Sequence, residues 1–364
     1  MGDGVEPGAA KHGAGTGATS VPPGGPLEQL SEKLGVTWTA LAAAKAEAHS
    51  KLLALAQQLS ADKVAPADGA IVVFGSLARL EWTAQSDLDW ALLIDGQCDP
   101  QHQRLAAQTR KSVTDIVGKP PGPTGLFGGL VFAHDLLHYI GGNDDTNKNT
   151  SRRILLLLES RAVVGEDVRR RVIKHLLRRY VEQDGQYPLP RSHAPRPVPR
   201  FLLNDIARFW RTMAVDYAGK HAEREGRGMA LRSVKLRISR KLIFAGGLAS
   251  CFLSGGEAPP REDLLAQLET ACERRPLDAV ASLALRYGPE SGRTLFEAYD
   301  AFIRLLNDAA SRQQLEALTL ESAQSDEVYR EAREITDRFQ EGLSKLFFDT
   351  DQDLTKLTQR YGVF

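Results

Sequence analysis

Ala70-Ile71-Val72-Val73-Phe74-Gly75-Ser76-Leu77-Ala78-Arg79-Leu80-Glu81-Trp82-Thr83-Ala84-Gln85-Ser86-Asp87-Leu88-Asp89-Trp90 is the stretch on which the fold and chemistry of this 364-residue chain turn. Its first five residues have the β-rich composition of a buried strand, and Gly75-Ser76 ends the run. Glycine there lets backbone amides approach an anion, and a helix beginning at that point would add N-terminal N–H groups that favour phosphate. A second apolar run, Leu88 to Ile94, is closed by the turn pair Asp95-Gly96. Period-two alternation puts Asp87 and Asp89 on one face while Leu88 points into the core. Two carboxylates beside a phosphate cradle form a hard oxygen site suited to Mg²⁺ or Mn²⁺. Asp-x-Asp alone would read as a strand-edge pair, solvated or capping a helix, after a common Gly-Ser turn. The combination at this spacing is far rarer.

Working outward, the spacing of Trp38, Leu41, Leu52, Leu55 and Leu59 predicts helix from Leu27 to about Leu59. Residues 101–117 read as helix, Pro120 to Gly129 as a Pro/Gly-rich loop, and Leu130 to Ala133 as a third strand. The expected architecture is a small mixed sheet with helices on one side, followed by an all-helical part: α/β plus helical. Helices are predicted over roughly 152–159, 168–181, 200–221, 229–253, 262–273, 292–320 and 325–347. The expected divisions are 1–26, a Gly/Ala/Pro-rich segment with too little to bury; 27–185, the sheet-bearing domain; 186–200, a Pro-rich linker; and 201–364, a helical bundle.

Lys and Arg total 46, and so do Asp and Glu, so the chain has no global pull toward a polyanion or a membrane. Three scattered cysteines without a CxxC pattern predict reduced thiols and a cytoplasmic protein. No apolar run reaches the length of a membrane span, and no basic-then-apolar leader opens the chain.

The strand, Gly75-Ser76, spacer and Asp87-x-Asp89 pattern resembles the DNA polymerase β-like nucleotidyltransferase superfamily. Ala78-Arg79-x-Glu81 followed by Ser86-Asp87 looks most like the branch of PII uridylyltransferases and glutamine synthetase adenylyltransferases. The specific resemblance covers residues 70–95, and more loosely 130–240. It implies that Asp87 and Asp89 hold the catalytic metal and that Gly75 and Ser76 hold an NTP such as ATP. Arg79 would either reach phosphate or brace Glu81, although their i,i+2 spacing pairs them only if the chain turns tightly. The resemblance also implies a third carboxylate, for which Asp135 is the first choice and Asp115 the second. The implied reaction moves a nucleoside monophosphate onto an acceptor hydroxyl and releases pyrophosphate. A protein acceptor is favoured, with a nucleotide or RNA acceptor, as in second-messenger synthases, behind it. A non-enzymatic nucleotide-sensing module is the alternative.

Three further clusters carry weaker signals. Arg232, Lys235 and Ser239 share a helical face beside the apolar stripe Leu231, Val234, Ile238 and Leu242, which suits Arg232 and Lys235 to a triphosphate as well as to plain solvation. Asn204, Arg208 and Arg211 share a face among aromatics and suit either a nucleoside pocket or a salt network. Thr150 or Ser151 is expected to cap a helix whose first turn carries Arg152 and Arg153. His134-Asp135-Leu136-Leu137-His138 mimics a zinc-hydrolase motif with Asp for Glu, but no third ligand follows it.

Overall fold

The computed structural model describes residues 24–118, 126–183, 198–223, 226–253 and 261–363. The long N-terminal helix expected from Leu27 is in fact two. Helix α1 (Pro26–Leu34) starts with proline at its first position, where the missing N–H costs nothing, and ends at Gly35 with φ +64°. Helix α2 (Thr39–Ala61) follows after a short break. Of the expected 1–26 segment only residues 24–26 are described, and Pro26 already belongs to α1.

Strand β1 (Gly69–Phe74) runs into a four-residue helical turn, α3 (Gly75–Ala78), and β2 (Asp89–Ile94) returns antiparallel beside it. After α4 (Gln101–Val117) comes β3 (Gly129–Phe132), parallel to β2. Helices α5 (Ala133–His138) and α6 (Asn147–Leu158) lead to β4 (Arg161–Val164), antiparallel to β1. The order is β3-β2-β1-β4. Strand β4 is an addition to the three expected strands, its four residues coming just after the leucine run of α6.

Both faces of the sheet are buried, which corrects the expectation of helices on one side. Ile71, Val73, Trp90, Leu92 and Ile94 pack with residues of α2 and α4, including Leu55, Leu59 and Val113. Ala70, Val72, Phe74, Ala91, Leu93 and Val131 face the opposite way and join a larger core with the C-terminal helices. Strand alternation therefore aims Asp89 at the helical part of the protein, on the side of Ala91 and Leu93.

The rest is helical: α7 (Glu166–Gln183), α8 (Arg200–Glu223), α9 (Met229–Lys235), α10 (Lys241–Leu253), α11 (Arg261–Cys272) and α12 (Pro276–Tyr287). Then follow α13 (Pro289–Asn307), α14 (Ala309–Ala317), α15 (Glu327–Ser344) and α16 (Gln352–Leu357). The sequence reading did not foresee α12. The expected 292–320 helix is divided at Asp308, whose side chain caps α14 by accepting from the Ser311 amide. The Pro-rich linker lies outside the described residues except for 198–200.

The boundary at 186–200 does not divide the packing. The Leu41 amide donates to Asp300 Oδ1 at 2.9 Å, and the Leu27 amide reaches Asp278 Oδ1 at 3.4 Å, so α1 and α2 are pinned to α12 and α13. One apolar core runs from Leu27 to Leu357. No helix among the described residues is long and apolar enough to cross a membrane.

Candidate active site

The register of β1 and β2 pairs Phe74 with Asp89, so the turn after β1 sits against the start of β2. Gly75 has φ +67°, and a Cβ there would lie 3.1 Å from Asp89 Oδ2. Glycine is thus required twice, by the backbone angle and by the carboxylate. Between Gly69 and Thr83 only Ser76 is not buried, so it is the residue this turn leaves half-open to solvent. Leu88 is buried as its alternation predicts, Asp87 is exposed and Asp89 is half-buried. Burial, together with the charges of Glu159 and Asp87, pushes the Asp89 carboxyl up to about 6 despite Arg240 and Arg79 nearby.

Arg79 is not on this open face. It is buried, its Nε donating to Glu81 Oε2 at 2.8 Å and its NH1 to Glu159 Oε2. The tight turn that i,i+2 pairing requires is present. Leu80 adopts φ +59°, rare for a residue with a side chain, and the Glu81 amide donates to Ser76 O at 2.8 Å. Tyr299 Oη donates to Glu81 Oε2 at 2.9 Å from α13, while Glu81 Oε1 is buried without a partner. Of the two roles expected for Arg79, the one with contacts here is the brace to Glu81, which extends to Glu159.

Cations from the helical part lie within electrostatic reach of the two aspartates. Arg240 acts on Asp89, while Lys235 lies near Asp87, Arg240, Arg312 and Glu316. Burial and the cations Arg312 and Arg240 push the Lys235 ammonium down to about 8. Arg312, held by Glu316 Oε1 at 3.1 Å and by Thr83 Oγ1 at 3.3 Å, also anchors the loop before Asp87. Between Lys235 and Lys241 the helix widens into a π turn (Leu236–Arg240), with the Lys241 amide donating to Leu236 O. In an unbroken α-helix Arg240 would point about 140° away from Lys235. The i→i+5 turn swings it toward the Lys235 face, and such bulges recur at functional sites. Arg237 is exposed and points outward, 3.9 Å from Asp337. Arg232 is half-buried one turn before Lys235 and is engaged in contacts of its own.

Neither choice for the third carboxylate reaches this place. Asp135 follows the C-terminal end of β3, which runs parallel to β2, so about 17 Å of strand separates it from Asp89 at the other end. Asp115 is on the exposed side of α4, which covers the opposite face of the sheet. Extending the β2–β3 register by two residues puts Phe127 beside Asp89, and its ring lies 4.7 Å from that of Phe74. The acid that does approach is Glu159, at the end of α6, whose Oε1 accepts from the Gly75 amide at 3.3 Å. The only advance signal for it was an acid closing the leucine run just before Ala162-Val163-Val164.

The remaining clusters resolve as structure. Thr146, not Thr150 or Ser151, caps α6. Arg153 is fully buried, binding both oxygens of Asp145 at 3.0 and 2.9 Å and Asp205 Oδ2 at 2.5 Å, while Arg208 NH1 reaches Asp145 at 2.8 Å. Asp205 and Arg208 thus belong to a salt network, and Asn204 and Arg211 are exposed. His134 and His138 have ring centroids 4.4 Å apart on α5, but no group of three potential metal ligands exists among the described residues.

Residues 31–119, about a quarter of the chain, match the sequence profile of the family described as "Putative nucleotidyltransferase DUF294". No curated protein and no solved structure matches the chain. The matched segment contains β1, the Gly75-Ser76 turn, Asp87, Asp89 and β2. Over residues 31–119 the chain is therefore similar to a nucleotidyltransferase family, a match consistent with the superfamily.

Proposed function

We propose that the chain transfers a nucleoside monophosphate from an NTP to an acceptor hydroxyl, releasing pyrophosphate, with Asp87 and Asp89 holding Mg²⁺ (or Mn²⁺). The observation that carries this reading is that Lys235 and Arg240 lie within electrostatic reach of Asp87 and Asp89 respectively. The acidic pair fits a divalent ion. Asp89 is crowded by Asp87, Glu159 and burial, so its anionic form is relieved by a cation at its oxygens. When bound, that ion supplies charge neutralisation on the phosphates.

The chain's own residues do the rest. Lys235 and Arg240 stand where the charge of a departing pyrophosphate is stabilised by fixed cations. Ser76 offers its hydroxyl to a phosphate oxygen, and Gly75 leaves room for that approach. A protein hydroxyl is the favoured acceptor, on the strength of the Ala78-Arg79-x-Glu81 and Ser86-Asp87 pattern. The test is incubation with each α-labelled NTP and Mg²⁺, tracing the label to protein, small nucleotide or RNA while measuring pyrophosphate.

Phe127 supports a second reading. The register of β3 continued back from Gly129 brings Phe127, packed on Phe74, to the level of Asp89, and neither carboxylate chosen for the third position reaches this place, which suits a module that binds nucleotide without turning it over. Nucleotide binding with no label transferred and no pyrophosphate formed would select it.

A further inference from the structure

A continuous buried chain of hydrogen bonds leads from the helical core to the turn that faces Asp89. It begins at Tyr299 Oη on α13 and passes to Glu81 Oε2, from there to Arg79 Nε, through the guanidinium to NH1 and Glu159 Oε2, and from Glu159 Oε1 to the Gly75 amide. Tyr299, Glu81, Arg79 and Glu159 are all buried, so water cannot substitute for a lost partner. The chain spans two points of positive φ, of which Leu80 alone is strained. Leu80 is kept at φ +59° between Arg79 and Glu81, and Gly75 is kept at φ +67° against Asp89. A local backbone like that of Leu80 persists only when its surroundings over-determine it.

We infer that Glu159 is a positioning residue that clamps the Gly75 turn through its amide, and that Tyr299 extends the clamp into the helical core. The consequence rests on the nucleotidyltransferase reading: the turn sets where Ser76 and Asp89 stand relative to a bound NTP. Glu159 does this from the β4 side of β1, away from the solvent-facing Asp87. It acts through Gly75 and Arg79 and touches no substrate.

Glu159→Gln strips a partner from a buried guanidinium and risks unfolding, so the primary variant is Tyr299→Phe, which removes one hydroxyl at the far end. Phe296→Leu, also buried in α13 but outside the chain, serves as a control for lost packing. Amide hydrogen exchange of the 75–83 segment is read by mass spectrometry alongside the affinity for each NTP with Mg²⁺. Tyr299→Phe is expected to speed exchange in 75–83 about fivefold or more beyond Phe296→Leu at equal global stability, and to weaken nucleotide binding several-fold. Exchange no faster than in the control overturns the clamp. Faster exchange with unchanged nucleotide affinity overturns its role in positioning. If the parent protein binds no NTP, the nucleotidyltransferase reading fails, while the exchange comparison still decides the clamp.

Discussion

Lys235 lies within electrostatic reach of Asp87, and Arg240, five residues later in the same helix, lies within reach of Asp89. The π turn between them makes this possible, so two cations of one helix act on two carboxylates of one strand end. The arrangement separates residues that sequence spacing alone would group together.

Lys235→Ala and Arg240→Ala should therefore each weaken Mg²⁺–NTP binding by about 1.5–3 kcal/mol, the range for hydrogen bonds to charged groups. Arg237→Ala removes the same charge from the outward side of the helix and should change affinity little. Calorimetry at two salt concentrations checks this, because a direct phosphate contact loses more on added salt than a screened surface charge. Equal, small losses at all three positions would mean a merely solvated basic face.

Asp89 should leave a mark on stability against pH. Burial and its anionic neighbours push its carboxyl in the folded state up to about 6, above the ordinary aspartate range, so the folded protein holds the proton more tightly than the unfolded chain. Stability contributed by the protonated form is present below the unfolded value and is lost as pH rises through about 6. Without divalent ions, Asp89→Asn should raise stability above pH 6 by on the order of 1–2 kcal/mol, allowing for partial solvation, and leave it unchanged near pH 4. Urea midpoints across that range provide the measurement. A parallel pair of curves would contradict the crowding of Asp89.

Gly75→Ala places a methyl group 3.1 Å from Asp89 Oδ2 on a backbone at φ +67°. The left-handed conformation alone costs about 1–2 kcal/mol for a non-glycine residue. The variant should melt several degrees lower and, because Asp89 must shift, lose divalent-ion affinity as well. Loss of stability with full Mn²⁺ binding, read by paramagnetic relaxation, would uncouple the turn from the carboxylate.

Arg153→Met tests the salt network. Removing the guanidinium buried between Asp145 and Asp205 leaves Asp205 without its cation and Asp145 with Arg208 alone, and breaking a buried pair in this way typically costs about 3–5 kcal/mol. Adding Asp205→Asn should restore part of it, so a double-mutant cycle in urea is the measurement. Additive losses would deny the coupling.

The part of the site built within one strand-turn-strand unit was legible in advance. Gly75, Ser76, Asp87 and Asp89 lie where alternation and turn chemistry put them, because those rules act over neighbouring residues. What tertiary packing decides was not legible. Arg240 was hidden because a regular helix turns it away from Lys235, and no local signal marks the π turn. Glu159 resembled a helix end, and its role depends on a contact 84 residues away. Asp135 was misplaced because the direction of β3 relative to β2 cannot be read from spacing. Arg79 looked available for phosphate because the Leu80 turn that folds it onto Glu81 uses a backbone angle few leucines adopt.

The hydrogen bonds that tie Leu27, Leu41 and Glu81 to Asp278, Asp300 and Tyr299 also bear on how substrate can enter. An enzyme whose two lobes meet at a thin joint can open like a jaw. Here such opening would tear buried polar bonds on the N-terminal side and expose the apolar core on the C-terminal side. The distance between the aspartates and the basic helix is thus set when the chain folds. On the proposed function, an arriving NTP would then have to thread between walls already in place, past short loops such as Thr83–Ser86.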